Sequence, residues 1–374
     1  MHLPRLVAAA AATCCLALLP VTAATPAGAS GGPSVPDRPL RQLAADDHLR
    51  VGTAVDMSAL TDDAAYRRLT GSEFSTVTAE NVMKWEALEP RQGEYDYAAA
   101  DRLVDFARRH GQKVRGHVLV WHSQLPSWLT SGDLTADELR AVLHRHITDT
   151  VRHFKGQVWQ WDVVNEAFNE DGTLRDSIWL RKLGPGYIAD AFRWAHEADP
   201  HALLFYNDYN TEWTGPKSDA VYDLVRRLRA EGVPVHGVGF QGHLGIQYGL
   251  PTDMAANFAR FDRLGLATAV TEADVRMEMP ADAAKLATQA EGYRRLLDAC
   301  LRARHCISFT VWGFTDKYSW VPDTFPGEGA ANLFDEEYRP KPAYRTLQSE
   351  LAGRARSARP DDAGRTRPES ISQP

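Results

Sequence analysis

Cysteine is scarce in this chain. There are four, and Cys14 and Cys15 lie inside an N-terminal apolar run, so a processed protein would keep only Cys300 and Cys306. A zinc site built on that pair would need further soft ligands nearby, and none is obvious. Thirteen histidines are present. His117, His122 and His243 are too dispersed to match a ligand pattern, which argues against a metal-dependent hydrolase. No stripe of Lys and Arg interleaved with aromatics occurs, and the formal net charge is -7. Both features argue against a nucleic-acid partner. Beyond the N-terminal run, no segment is long and apolar enough to span a membrane. A Gly-rich phosphate loop after an early strand is missing, and with it the main mark of a doubly wound nucleotide-binding sheet. No short repeat of solenoid type occurs either.

What is present suits a large globular domain. Apolar residues make up 44%, enough for a sizeable core. Ten Trp and twelve Tyr serve packing first, and flat rings also suit the faces of sugars. The N-terminus has the pattern of an export signal. Arg5 supplies charge, Leu6 to Leu19 is apolar, and Val21-Thr22-Ala23 or Ala27-Gly28-Ala29 offers a cleavage site. The chain is therefore expected to divide into a signal peptide (1–29), a flexible Gly-, Pro- and Ser-rich leader (30–40), one folded domain (41–352) and a disordered charged tail (353–374). In an exported protein, Cys300 and Cys306 are close enough in sequence to form a disulfide around a small loop.

Within the domain, short β-rich runs alternate with longer amphipathic stretches. Strands are expected near 51–55, 74–79, 114–120, 158–164, 202–207, 235–241, 267–272 and 307–312. Between them, Ala98 to His110 gathers Leu103, Val104 and Phe106 on one helical face. Thr135 with Glu138 has the spacing of a capping box. Pro216 to Ala230 and Ala283 to Leu301 are similar helical stretches. Eight strands, each followed by a helix, predict an α/β fold of (β/α)8 TIM-barrel type.

Barrel enzymes carry their chemistry at the C-terminal ends of the strands. Here seven of the eight expected ends bear polar or aromatic groups. Glu80-Asn81, Trp121-His122, Asn165-Glu166, the run Tyr206 to Asn210, Gln241-Gly242-His243, Glu272-Ala273-Asp274 and Trp312-Gly313 follow the second to eighth strands. Glu166 and Glu272 close the fourth and seventh strands. A pair of carboxyl groups across a cleft is what glycoside hydrolysis requires, one as proton donor and one as nucleophile or stabiliser. A single glutamate at a strand end reads equally well as half of a salt bridge; two, each among polar and aromatic neighbours, do not. His243 and Asp274 would keep Glu272 ionised while Glu166 holds its proton. His243 also reads as a buried structural histidine. Trp121, Trp312 and Trp320 read as core residues or as a cleft wall, and their places at or just past strand ends favour the wall.

These motifs resemble family 10 of the glycoside hydrolases, the endo-β-1,4-xylanases, of a secreted bacterial, actinobacterial-like type. The resemblance covers about residues 40–352. It rests on Glu80-Asn81-Val82-Met83-Lys84-Trp85, Gly116 to His122, Trp161 to Phe168, Tyr206 to Asn210 and Val311 to Asp316. It implies that Glu166 is the acid/base and Glu272 the nucleophile of a retaining double displacement on xylan. Glu80, Asn81 and Lys84 would hold the xylose next to the scissile sugar. His117, Trp121, Asn165, Gln241 and His243 would hold the sugar being cleaved. Trp312, Trp320 and Gln124 would fill the space of a hexose hydroxymethyl group, and Tyr209 would stack on the leaving-group side. Two positions depart from the family pattern, Ala273 where leucine is usual and Gly242 where serine is common. The smaller Ala273 implies looser packing behind Glu272.

No cofactor is expected, because the carboxyl pair supplies both acid and nucleophile. The expected partners are xylan and xylo-oligosaccharides, met by an extracellular monomer. Two other functions remain in view, a β-1,4-glucanase with the same glutamates and a sugar-binding pseudoenzyme. The treatment of the hydroxymethyl group separates the first, and the presence of both carboxyls argues against the second.

Overall fold

The computed structural model of the protein describes residues 38–357. The expected signal peptide, and most of the expected leader and tail, lie outside the described residues. Eight strands form the barrel: β1 (Arg50–Val55), β2 (Thr76–Ala79), β3 (Lys113–Gly116), β4 (Val158–Asn165), β5 (Leu203–Asp208), β6 (Gly237–Phe240), β7 (Ala267–Glu278) and β8 (Cys306–Val311). Each pairs with the next in parallel, and β8 pairs with β1 to close the ring. Closure leaves no strand edge, and helices cover the outside, so strands such as β2 and β6 are buried along their whole length.

The helices form for the reasons legible in their sequences. Ala98–Arg109 buries Leu103, Val104 and Phe106 on one face. Ala136–His153 starts at the Thr135 capping box, where the Thr135 N–H donates to Glu138 Oε2 at 2.8 Å and the Glu138 N–H donates back to Thr135 Oγ1 at 3.3 Å. Pro216–Ala230 opens on a proline, whose missing N–H costs nothing in the first turn. Cys300 and Cys306 form the expected disulfide, tying the end of Ala283–Arg302 to the start of β8.

Four boundaries depart clearly from the sequence reading. β3 stops at Gly116 rather than near 120. The chain steps off the sheet there, then rejoins β4 through the Leu119 and Val120 N–H groups. β7 runs on to Glu278, because beyond Glu272 it pairs with the short strands His243–Gly245 and Glu328–Gly329. Both ends of the domain are also longer than expected. Leu40, assigned to the leader, is fully buried at the start of helix Leu40–Ala45. The last helix, Pro342–Ser357, continues past residue 352 into the expected tail. The two terminal helices support each other: Gln348 Nε2 donates to the Arg38 carbonyl at 2.9 Å.

Candidate active site

The two glutamates meet over the C-terminal mouth of the barrel, on the wall of a cleft of about 960 Å³. Glu272 sits in β7 and is 4% exposed. Its Oε1 accepts from Asn207 Nδ2 at 2.7 Å and from Arg115 Nη2 at 3.4 Å. Its Oε2 lies 3.3 Å from His243 Nε2, and His117 Nδ1 is 3.9 Å from Oε1. Burial alone would raise the Glu272 carboxyl. The positive field of His117 and Arg115 and the bond from His243 overcome it and hold the group well below the usual carboxylate range. His243 is itself anchored. Its Nδ1 lies 2.9 Å from Asp274 Oδ2. Burial opposes its charge, but Asp274 and Glu272 prevail and raise it to about 10. The pairing of His243 with Asp274 across the extended part of β7 places this network.

Glu166 follows the last residue of β4 and is built differently. Its backbone adopts a φ of +56°, a conformation that costs a non-glycine residue about 1 kcal/mol or more. Neighbours fix it there: its N–H donates to the Asn207 carbonyl, and its own carbonyl accepts from Arg175 Nε, both at 2.9 Å. The turn aims the carboxyl into the cleft. Oε2 accepts from Trp121 Nε1 at 2.9 Å, and Oε1 accepts from Asn165 Nδ2 and Gln241 Nε2, each at 3.1 Å. Asn207 Nδ2 also donates to Asn165 Oδ1 at 2.8 Å. A chain of amides therefore runs from one carboxyl to the other and fixes their relative position.

The remaining expected residues surround this pair. Glu80, Asn81, Lys84, His117, Trp121, Gln124, Asn165, Tyr209, Gln241, His243, Trp312 and Trp320 all line the cleft, and Asp274 stands directly behind His243. Lys84 Nζ donates to Asn81 Oδ1 at 2.9 Å and to Gln124 Oε1 at 2.5 Å, which builds one polar unit at that end. Burial and the nearby Asp56 raise Glu80 to about 7. Trp320 Nε1 donates to Asp274 Oδ2 at 2.8 Å, while the Trp312 ring stands edge-on to His117 at 5.1 Å. Tyr209 lies under Lys217 Nζ, 3.3 Å from the ring centroid, and its hydroxyl accepts from Arg175 at 2.7 Å. Gly242 has a φ of +80°, where glycine is unstrained and serine would not be. Ala273 is fully buried.

Several working residues escaped the sequence reading. Arg115 and Asp162 form a buried ion pair inside the barrel, and Asp162 Oδ2 also lies 2.8 Å from His117 Nδ1. The signal was there, as opposite charges inside two neighbouring strands, but only the strand register makes them partners. Asn207 lies inside a quoted motif, yet its reach to Glu272 depends on the packing of β5 near β7. His117, Asp162 and Glu272 also form the one group of potential metal ligands found among the described residues. The Arg115 guanidinium contacts both acids of that trio, so a resident cation already offsets part of their charge.

Barrel, cleft and paired carboxyls define a glycoside hydrolase of (β/α)8 type. The comparison with known proteins narrows the class. Residues 39–350 match the family described as glycosyl hydrolase family 10, and the chain belongs to that family. An endo-1,4-beta-xylanase of Agaricus bisporus is 45% identical over 298 residues, 79% of this chain and 89% of that protein. Endo-1,4-beta-xylanase B of Thermotoga neapolitana is 44% identical over 314 residues, 82% of this chain and 90% of its own length. Among solved structures, xylanase 10B of Thermotoga petrophila RKU-1 in complex with xylobiose superposes with a TM-score of 0.83 at 43% identity. It covers 86% of this chain and 99% of that one.

Proposed function

We propose that this protein is an endo-β-1,4-xylanase that cleaves xylan by a retaining double displacement. What carries the reading is the contrast between the two carboxyls. Glu272 is held ionised at the barrel mouth by His117, His243 and Arg115, while Glu166 is aimed across from it by a strained turn. In the first step Glu166 gives its proton to the glycosidic oxygen as Glu272 attacks the anomeric carbon. The leaving sugar departs and a glycosyl ester remains on Glu272. In the second step Glu166 takes a proton from water, the water oxygen attacks the same carbon, and Glu272 is released as carboxylate. Asn165, Gln241, His117 and Trp121 hold the sugar being cleaved, and Glu80, Asn81 and Lys84 hold the next. Trp312, Trp320 and Gln124 occupy the space a hexose hydroxymethyl group would need, which favours xylan over cellulose.

The matches to xylanases from Agaricus and Thermotoga support the substrate class. The signal-like residues 1–29 support an exported enzyme of the bacterial, actinobacterial-like type, acting outside the cell with 41–352 as its catalytic core. Among the described residues no helix is long and apolar enough to cross a membrane. The enzyme is taken to act as a monomer. Reducing-sugar release tests the assignment. The protein is expected to act on xylan far faster than on carboxymethylcellulose, and activity confined to the latter would overturn it.

A further inference from the structure

The run Tyr206 to Asn210 gives Tyr209 to the cleft and Asn207 to Glu272, but Tyr206 and Asp208 are fully buried and do not line the cleft. They reach the Glu166 turn instead. The Tyr206 hydroxyl accepts from the Ala167 N–H at 3.0 Å and donates to Asp208 Oδ2 at 2.6 Å. Asp208 Oδ1 lies 3.0 Å from Lys217 Nζ, a buried ammonium that supplies the countercharge. The backbone explains why a side chain is needed there. β4 ends at Asn165, so the Ala167 N–H lies beyond the strand. A buried N–H left unpaired would favour another backbone conformation. Glu166, directly before it, has a φ of +56°, which persists only where the surroundings over-determine it. The peptide joining Glu166 to Ala167 is held at both polar atoms, its carbonyl by Arg175 Nε at 2.9 Å and its N–H by the Tyr206 hydroxyl at 3.0 Å. A phenolic O–H can rotate; giving its proton to Asp208 leaves its lone pair for Ala167.

Resting on the reading of Glu166 as the acid/base, we infer that Tyr206, oriented by Asp208, is a positioning residue for proton transfer to the leaving oxygen. It locks the peptide after Glu166 and so holds the carboxyl at the angle from which it reaches that oxygen. Tyr206 is not part of the cleft wall, so it acts through Glu166 and not on the sugar. Glu272 is held by Asn207, Arg115 and His243, none of which is part of this lock. Loss of the lock should therefore weaken acid catalysis and spare nucleophilic attack.

The test sets xylohexaose, whose leaving sugar needs a proton, against dinitrophenyl β-xylobioside, whose leaving group departs without one. Tyr206→Phe deletes one oxygen. Its kcat/KM on xylohexaose should fall about tenfold or more, the scale on which a misplaced acid is felt. Its kcat/KM on the dinitrophenyl substrate should stay within about twofold of wild type, as nucleophilic attack is spared, and that activity also shows the variant to be folded. Asp208→Asn keeps the side-chain shape but weakens the acceptor, and should move the ratio of the two values in the same direction by less. A ratio unchanged in both variants, whether the two values fall together or not at all, would overturn the proposal. Glu166→Ala is the control and should show the same selectivity more strongly. If it kept full kcat/KM on xylohexaose, the acid/base reading itself would fail, so the two failures are distinct.

Discussion

Glu272 stays ionised because three groups, His117, His243 and Arg115, offset its burial, and each can be removed singly. His243→Asn takes away one of them. The carboxyl should then rise, more base will be needed to ionise it, and the acidic limb of the kcat/KM profile should move to higher pH. An unmoved limb would show that His243 only fills space. Removing the carboxyl itself, in Glu272→Ala, should lower kcat on the order of 10⁴-fold or more, the scale on which losing a covalent nucleophile is felt. A folded Glu272→Ala protein that hydrolyses xylan as fast as wild type would refute the role. At this scale the sequence was informative where a carboxyl stands on the mouth side of a barrel strand, as Glu166 does just past β4 and Glu272 within β7. It gave no role to Arg115, and it placed Asp162 and Asn207 in motifs without saying what they touch. Their side chains point into the barrel, and what they touch is decided by strands distant in sequence.

Among the elements, the segment after β8 does the most to shape the cleft. It carries Trp320, which is held on Asp274, and it is latched near its start. Lys317 Nζ at 2.8 Å and the Tyr318 hydroxyl at 3.1 Å both donate to Asp63. Trp320→Ala should raise the ratio of kcat/KM on an aryl β-cellobioside to that on an aryl β-xylobioside by about tenfold, the discrimination a shape-excluding pocket commands. Asp63→Asn should move the ratio in the same direction, because it loosens the latch without touching sugar. The disulfide belongs to this scale too. It closes a small loop, so Cys300→Ala with Cys306→Ala should cost about 2 kcal/mol in denaturant unfolding. The eight strands and main helices were legible because parallel barrel strands are short apolar runs between turn signals. The extension of β7 was not. Its partners are two and three residues long, too short to show a pattern, and they pair only because the loops above the barrel fold back onto it.

For the whole molecule, buried charge sets the pH at which the fold is most stable. Glu291, lowered to about 2 by Arg294 and Arg295, stabilises the fold above its ordinary value of 4.5 and loses that contribution as pH falls. Glu272 behaves in the same way. His243, raised to about 10, contributes fully below its ordinary value of 6.5 and progressively less above it. Burial raises Glu80 and Asp208 to about 7, so ionising them at higher pH works against the fold. Glu291 and Glu272 call for a pH of about 4.5 or above, while Glu80 and Asp208 lose stability from there toward about 7, so stability should be greatest in mild acid, at about pH 4.5 to 5. Thermal unfolding across pH should show Tm highest there, and a maximum above pH 8 would contradict the assignments. The same molecule, with two carboxyls fixed by a chain of amides over a closed barrel, should retain configuration at the anomeric carbon. That claim is tested most directly by following hydrolysis of a xylo-oligosaccharide by proton NMR from the first turnover. The β-anomer should form first and the α-anomer only later by mutarotation; α-anomer formed first would contradict retention.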